Sequence, residues 1–252
     1  MSNKTQLPLA GRAVLVTGAA RRVGAAIART LHMAGANVIL HYRTSARAAS
    51  SVARELARAR PGSAQTLQAD LLDAKQLAPL IEAASAAFGR LDVLVNNAST
   101  FYATPIGRVT PQQWDDLMGT NAKAPFFLAQ AAAPALRQRH GLIINLLDIH
   151  AMRPLKQYPV YSTAKAALVM LTRALARELA PEIRVNGIAP GPILWPEEAP
   201  EPTLRKKIIA QTLLKRQGSP QDIARTALFF AADAPYITGQ ILAVDGGRSV
   251  GW

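Results

Sequence analysis

Ala13-Val14-Leu15-Val16-Thr17-Gly18-Ala19-Ala20-Arg21-Arg22-Val23-Gly24 is the stretch whose reading decides the fold. Four consecutive apolar residues, three of them aliphatic, read as a strand buried on both faces. A glycine turn follows, and a helical pattern runs from about Val23 to Ala34, with Gly35 as its C-cap. Gly18 permits the tight turn and Gly24 permits close approach of another backbone. The free N–H groups of the helix start are a ready site for a pyrophosphate. A glycine pair alone is a weak signal; between a strand and a helix it is a good one.

Outward from that stretch the alternation repeats. Asn37-Val38-Ile39-Leu40, Leu91-Asp92-Val93-Leu94-Val95, Leu142 to Leu147, Arg184 to Ile188 and Gln240 to Val244 read as further strands separated by helical patterns. Apolar strands alternating with helices predict an α/β fold: one doubly wound parallel sheet of the Rossmann type with helices on both faces. No linker or internal repeat divides the chain. It reads as one dinucleotide-binding domain over residues 1–252, with residues 1–10 as an N-terminal tail. The composition breaks once, where Pro190, Pro192, Pro196, Pro200 and Pro202 crowd a short segment that can be neither helix nor central strand. It follows a strand's C-terminal end, where such sheets bind ligands, so residues 190–216 are expected to form a substrate loop leading into a short helix from about Thr203 to Lys215.

The end of the second strand chooses the cofactor. A site for NAD(H) wants a carboxylate there for the ribose 2′-OH. This chain has His41-Tyr42-Arg43-Thr44-Ser45 instead, a cation and hydroxyls suited to a 2′-phosphate. No Asp or Glu precedes Glu55, whereas Lys4, Arg12, Arg21, Arg22, Arg29, Arg43, Arg47 and Arg54 do. NADP(H) is therefore expected over NAD(H). Asp70-Leu71, after a third strand region, is placed to hold the adenine amine.

Tyr161-Ser162-Thr163-Ala164-Lys165 carries the chemistry. Tyr161 and Lys165 share a helix face one turn apart, and an ammonium there should bring a phenol of pKa about 10 closer to neutrality. Such a pair is a tuned general acid. Asp148, thirteen residues before Tyr161, is a carboxylic acid that can bond the phenol and share its proton. Phe101 offers a π-face for a flat heterocycle.

Composition excludes much else. The 252 residues contain no Cys and four scattered His, which removes disulfides and thiolate sites and makes a metal site unexpected. The net charge of +13 is spread out, with no Lys/Arg block of five. It reads as solvated surface, without a nucleic-acid partner. Neither a signal peptide nor a membrane span is evident, so a cytoplasmic location without membrane association is expected.

With the glycine turn, Asn96-Asn97-Ala98, Asn121, Tyr161-x3-Lys165, Pro190-Gly191, Tyr236 to Gln240 and Val244-Asp245-Gly246-Gly247 in order, the chain resembles the short-chain dehydrogenase/reductase superfamily over nearly its whole length. Arg22 stands where most members have a third glycine, and Asp148 where most have Ser or Thr. Together with Asn97-Ala98-Ser99-Thr100-Phe101, these departures are similar to the pteridine reductase branch. The resemblance implies that Arg22 contacts both cofactor phosphate and pterin, and that the pterin stacks between Phe101 and the nicotinamide, with Ser99 beside it. It also implies that Asn121 anchors a water leading to Lys165, whose ammonium holds the nicotinamide ribose. Val23, Asn97, Ala98, Pro190, Gly191 and Ile193 fall at the cofactor and Pro192 at the substrate, and the assembly would be a homotetramer. Ile193, in place of a small polar residue, and His150 are atypical of the branch.

The resulting expectation is an NADPH-dependent reductase of dihydropterins, with dihydrofolate as a further candidate substrate. Asp148, Tyr161, Lys165 and Asn121 would be its catalytic residues. The alternatives are a carbonyl reductase such as a 3-oxoacyl-[acyl-carrier protein] reductase, in which Asp148 is incidental, and a redox sensor that binds NADP(H) without turnover. The accepted pterin side chain, the ring carbon receiving hydride, and the roles of Trp195, Trp252 and His150 stay open.

Overall fold

The computed structural model describes residues 7–195 and 201–251, so Lys4, Pro196, Pro200 and Trp252 lie outside the described residues. Seven strands form one sheet: β1 (Ala13–Val16), β2 (Asn37–Tyr42), β3 (Ala64–Gln68), β4 (Val93–Asn96), β5 (Leu142–Leu146), β6 (Arg184–Pro190) and β7 (Ile241–Val244). Their order across the sheet is β3-β2-β1-β4-β5-β6-β7, with every neighbouring pair parallel. The doubly wound, Rossmann-type α/β architecture expected from the sequence is the one observed.

The continuous apolar runs are explained by the two-residue period of a strand. Val14 and Val16 of β1, Val93 and Val95 of β4, and Leu142, Ile144 and Leu146 of β5 enter one core. Their alternates Leu15, Leu94 and Ile143 enter the other. Helices α1 (Arg22–Met33), α2 (Ala46–Ala59) and α8 (Pro220–Ala232) cover the first face with Ile27, Leu31, Val52, Leu56, Ile223 and Phe230. Helices α3 (Ala74–Ala87), α5 (Ala124–Arg137) and α6 (Pro159–Leu179) cover the second with Leu77, Ile81, Leu128, Leu136 and Leu175. A polar residue on either face of β1 would sit in a core, which is why the run contains none.

Helix α4 (Pro111–Met118), capped by Thr110 through a reciprocal bond with Gln113, passes into α5 through a π-helical turn at Gly119–Lys123. A three-residue 3₁₀ turn at Ile149–Ala151 follows β5. Helix α7 (Pro202–Ala210) is shorter than the sequence predicts, which corrects its expected end at Lys215. Beyond Ala210 the chain is captured by the C-terminal turn. The Leu214 N–H donates to the Gly246 carbonyl at 3.0 Å, and Lys215 takes a left-handed φ of 53°. Gln211 to Lys215 have adequate helix propensity, but tertiary contacts decide their course. Among the described residues no helix is long and apolar enough to cross a membrane.

Candidate active site

The strand order reverses between β1 and β4, which opens a crevice at their C-terminal ends, where such sheets take ligands. A cavity of about 830 Å³ starts there and continues past β5 and α6 to α7. It is lined by the β1–α1 turn, the ends of β2 and β3, the segment after β4, and Asp148, Tyr161 and Lys165.

The turn is built to bring backbone against a ligand. Gly18 has a φ of +61°, and a Cβ on Gly24 would lie 2.4 Å from the Gly18 carbonyl oxygen and 2.5 Å from Asn97 Nδ2. Only glycine fits there. Asn97 fastens the turn to β4: its Nδ2 donates to the Thr17 carbonyl at 2.8 Å and the Gly18 carbonyl at 3.2 Å. The Thr17 hydroxyl in return accepts the N–H groups of Asn97 and Ala98 at 2.9 and 3.0 Å. Thr17 was not singled out from the sequence, because a threonine at a strand end has no signature of its own.

Arg22 is the anomaly of this turn. It holds a φ of 53°, a conformation that costs a non-glycine residue roughly 1–2 kcal/mol. Its guanidinium donates to the Trp195 carbonyl at 2.9 Å across the cavity mouth. Backbone strain of this kind is concentrated at functional sites, which makes Arg22 a candidate functional residue.

Arg43, Asp70, Leu71, Val23, Ala98 and Ser99 line the cavity, and so do Pro190, Gly191 and Pro192. Tyr42, Thr44, Ser45 and Asn121 are not among its lining residues, although Ser45 is the residue before α2 and makes no side-chain cap there. One expectation is corrected. His41 is at the cavity lining but does not offer its ring to a phosphate, because it is buried and both ring nitrogens are engaged by backbone. Ile193 lines the cavity and also packs into the core beside Gly218.

On the other side, α6 begins at Pro159 and raises Tyr161 and Lys165 on one face, both buried. The Tyr161 hydroxyl donates to Asp148 Oδ2 at 2.8 Å, and Asp148 Oδ1 accepts the His150 N–H at 2.8 Å. The 3₁₀ turn thus fixes the carboxylate, and His150 contributes a backbone donor to that arrangement. Lys165 Nζ donates to the Leu146 carbonyl at 2.8 Å and lies 5.7 Å from the Tyr161 ring centre. Burial, with the Asp148 charge and hydrogen bond behind it, pushes the Tyr161 phenol well above its ordinary value; Ser99 pulls weakly the other way. This corrects the expectation that Lys165 brings the phenol toward neutrality: desolvation and a neighbouring carboxylate both favour the protonated phenol. Burial also lowers Lys165 to about 8, against the pull of Asp148.

Asn121 sits on the π-helical turn, a local defect common at functional sites. Its Nδ2 donates to the Leu117 and Thr100 carbonyls at 2.9 and 3.0 Å, and its Oδ1 accepts from the Ser99 hydroxyl at 2.6 Å. It therefore shapes the segment carrying Ser99 and Phe101. Phe101 remains 41% exposed. Tyr158 stacks on it at 4.6 Å with planes 13° apart, and Tyr161 meets it edge-on at 4.8 Å. Tyr158, Leu204, Ile208 and Arg248 also line the cavity and were missed; the last three are brought there by folding from distant segments, and Tyr158 is the N-cap residue of α6. Trp195, left open above, does line the mouth. Among the described residues no cluster of His, Asp or Glu could hold a metal.

Residues 18–249 match a family model described as Enoyl-(Acyl carrier protein) reductase. Pteridine reductase 1 of Leishmania tarentolae is 38% identical over 94% of this chain and 96% of its own length. The chain belongs to the short-chain dehydrogenase/reductase family. A 3-oxoacyl-[acyl-carrier-protein] reductase of Staphylococcus aureus is 39% identical, over 94% of this chain and 97% of that one. Among solved structures, a blue fluorescent protein from a metagenomic library, in complex with NADPH, superposes with a TM-score of 0.89 at 36% identity, covering 96% of this chain and 99% of that one. Its family membership makes this chain an oxidoreductase.

Proposed function

We propose that this oxidoreductase uses NADPH to reduce dihydropterins to tetrahydropterins, with dihydrofolate as a candidate second substrate. The glycine turn, Arg22 and Arg43, and the lack of an acid at the end of β2 fit a dinucleotide carrying a 2′-phosphate. When bound, that cofactor supplies a hydride. Reduction of a ring C=N also consumes one proton at nitrogen, and Tyr161 is the group positioned to deliver it. Its raised pKa keeps the phenol protonated through neutral pH. Asp148 accepts the phenol's hydrogen bond and orients it, and its charge helps keep the proton on Tyr161. Lys165 holds positive charge beside both. Phe101, braced by Tyr158, offers its exposed part to a flat ring.

The single observation that carries this reading is the carboxyl, in place of a hydroxyl, at hydrogen-bond distance from the phenol. A hydroxyl serves a carbonyl substrate by donating to its oxygen, whereas an acid paired with a phenol serves a nitrogen that must be protonated. The competing reading is a 3-oxoacyl thioester reductase, favoured by a relative of that name at 39% identity, against 38% for the pteridine reductase. Steady-state NADPH oxidation with dihydrobiopterin, dihydromonapterin, dihydrofolate and a 3-oxoacyl thioester separates the two. Turnover of the thioester alone removes the pterin reading. Asp148→Ser is expected to lower pterin turnover about tenfold or more while sparing cofactor affinity; unchanged pterin turnover in that variant would leave a generic carbonyl reductase.

A further inference from the structure

His41 lies where the β1–α1 turn and the ends of β2 and β3 meet, with 2% of its surface exposed. Its Nδ1 is 3.1 Å from the Gly18 amide nitrogen, and its Nε2 is 3.1 Å from the Ala69 carbonyl oxygen. Its own carbonyl accepts the Ala19 N–H at 2.9 Å. A carbonyl can only accept, so Nε2 must carry the proton. An amide N–H can only donate, so Nδ1 must be bare. The two backbone partners thus select one neutral tautomer. A second proton would set a donor on Nδ1 against the donor of Gly18.

We propose that His41 is a positioning residue for the cofactor: its neutral Nε2–H form holds the Gly18 amide and the glycine turn in the dinucleotide-binding shape, so cofactor affinity falls in acid. The inference rests on the dinucleotide reading of the site, though not on the identity of the second substrate. Burial lowers the imidazole pKa from its ordinary 6.5, opposed by the Ala69 hydrogen bond and by Asp70 at the end of β3. The other charges on the flanking elements are the exposed cations Arg21 and Arg22 of the turn and Arg43 after β2. Because the opened turn takes up a proton more readily than the closed one, closure is secure above about pH 6.5 and is lost as pH falls through the folded value.

The test compares NADPH dissociation constants, by fluorescence titration from pH 8 to pH 5, in the wild type and in His41→Asn and His41→Leu. Asn places an acceptor near the Nδ1 position but does not titrate. The ligand's own phosphate ionises near pH 6, and that contribution is common to all three proteins. Relative to His41→Asn, wild-type affinity is expected to fall by roughly tenfold per pH unit below the imidazole pKa. His41→Leu should bind about tenfold or more weakly at every pH, with Gly18 left unpaired. Parallel profiles for wild type and His41→Asn overturn the proposal, whereas failure of the wild type to bind NADPH at pH 8 overturns the dinucleotide reading itself. Imidazole nitrogen chemical shifts of the wild type give a measurement independent of any variant's folding. A protonated Nδ1 in the neutral ring overturns the assignment, and a bare Nδ1 supports it.

Discussion

On the β1–β2–β3 side of the crevice a ligand meets backbone: Gly18 and Gly24, the start of α1, and a turn fastened by Thr17, Asn97 and His41. On the β5–α6 side it meets side chains drawn from four separate segments, namely Phe101, Asp148, Tyr161 and the α7 residues Leu204 and Ile208. The first side needs amides in one geometry, a demand that two small residues at fixed spacing satisfy. The second needs particular atoms at particular places, so one changed side chain redirects the chemistry. Two relatives of different activity at 38% and 39% identity are what this division produces. Much of the chain builds the shared side and the sheet, and few residues separate the activities.

The largest effect expected from breaking that division is on the side-chain half. Tyr161→Phe removes the proton donor and should cost about 10²–10⁴ in turnover, with NADPH affinity within a few-fold of wild type, as read by single-turnover kinetics and fluorescence titration. Equal losses in both would mean that the two halves are not separable. Gly24→Ala is the converse. A Cβ cannot coexist with the Gly18 carbonyl at 2.4 Å, and that neighbour is backbone. The strain should lower stability by about 1–3 kcal/mol, seen in thermal unfolding, and weaken NADPH whichever substrate is offered.

Arg22 spans the two halves. Arg22→Gly and Arg22→Ala both remove the guanidinium, but only glycine relieves the left-handed backbone. The glycine variant should therefore be the more stable of the two by about 1 kcal/mol in denaturant titration, while both bind NADPH more weakly. The smallest expected effect is on pH dependence. Lys165 loses its ammonium as pH rises through about 8, and the raised phenol does not ionise there, so kcat/KM should fall on that limb. The Asp148 charge supports the ammonium, so Asp148→Asn should move the limb to lower pH; a limb that stays in place would separate Lys165 from the alkaline loss.

What could be read in advance followed local necessity. The strands, the glycine turn and the Tyr161–Lys165 face are set by spacing within a few residues, and each stands where it was expected. The thirteen-residue interval between Asp148 and Tyr161 also placed two oxygens together, because β5 and the start of α6 are consecutive in the chain. Where the reading failed, the deciding partner came from elsewhere. His41 was assigned to a phosphate, but its ring turns inward to Gly18 and Ala69, a choice made by two other strand ends. The end of α7 was misplaced because Gly246 captures Leu214. The direction of the Tyr161 shift was missed because sequence neighbours reveal a nearby ammonium but not the burial that raises the phenol.

By itself the amino-acid order determined the doubly wound sheet, the pyrophosphate turn and the family, since periodicity and glycine placement act over short distances that the chain itself fixes. Only the folded molecule decided which groups share the cavity and how they titrate: the strained Arg22 at the mouth, Tyr158 behind Phe101, Arg248 beside α7, and the protonated phenol on Asp148. Desolvation and contact between distant segments exist only once the core has closed, and they are the terms that set a pKa and shape a pocket.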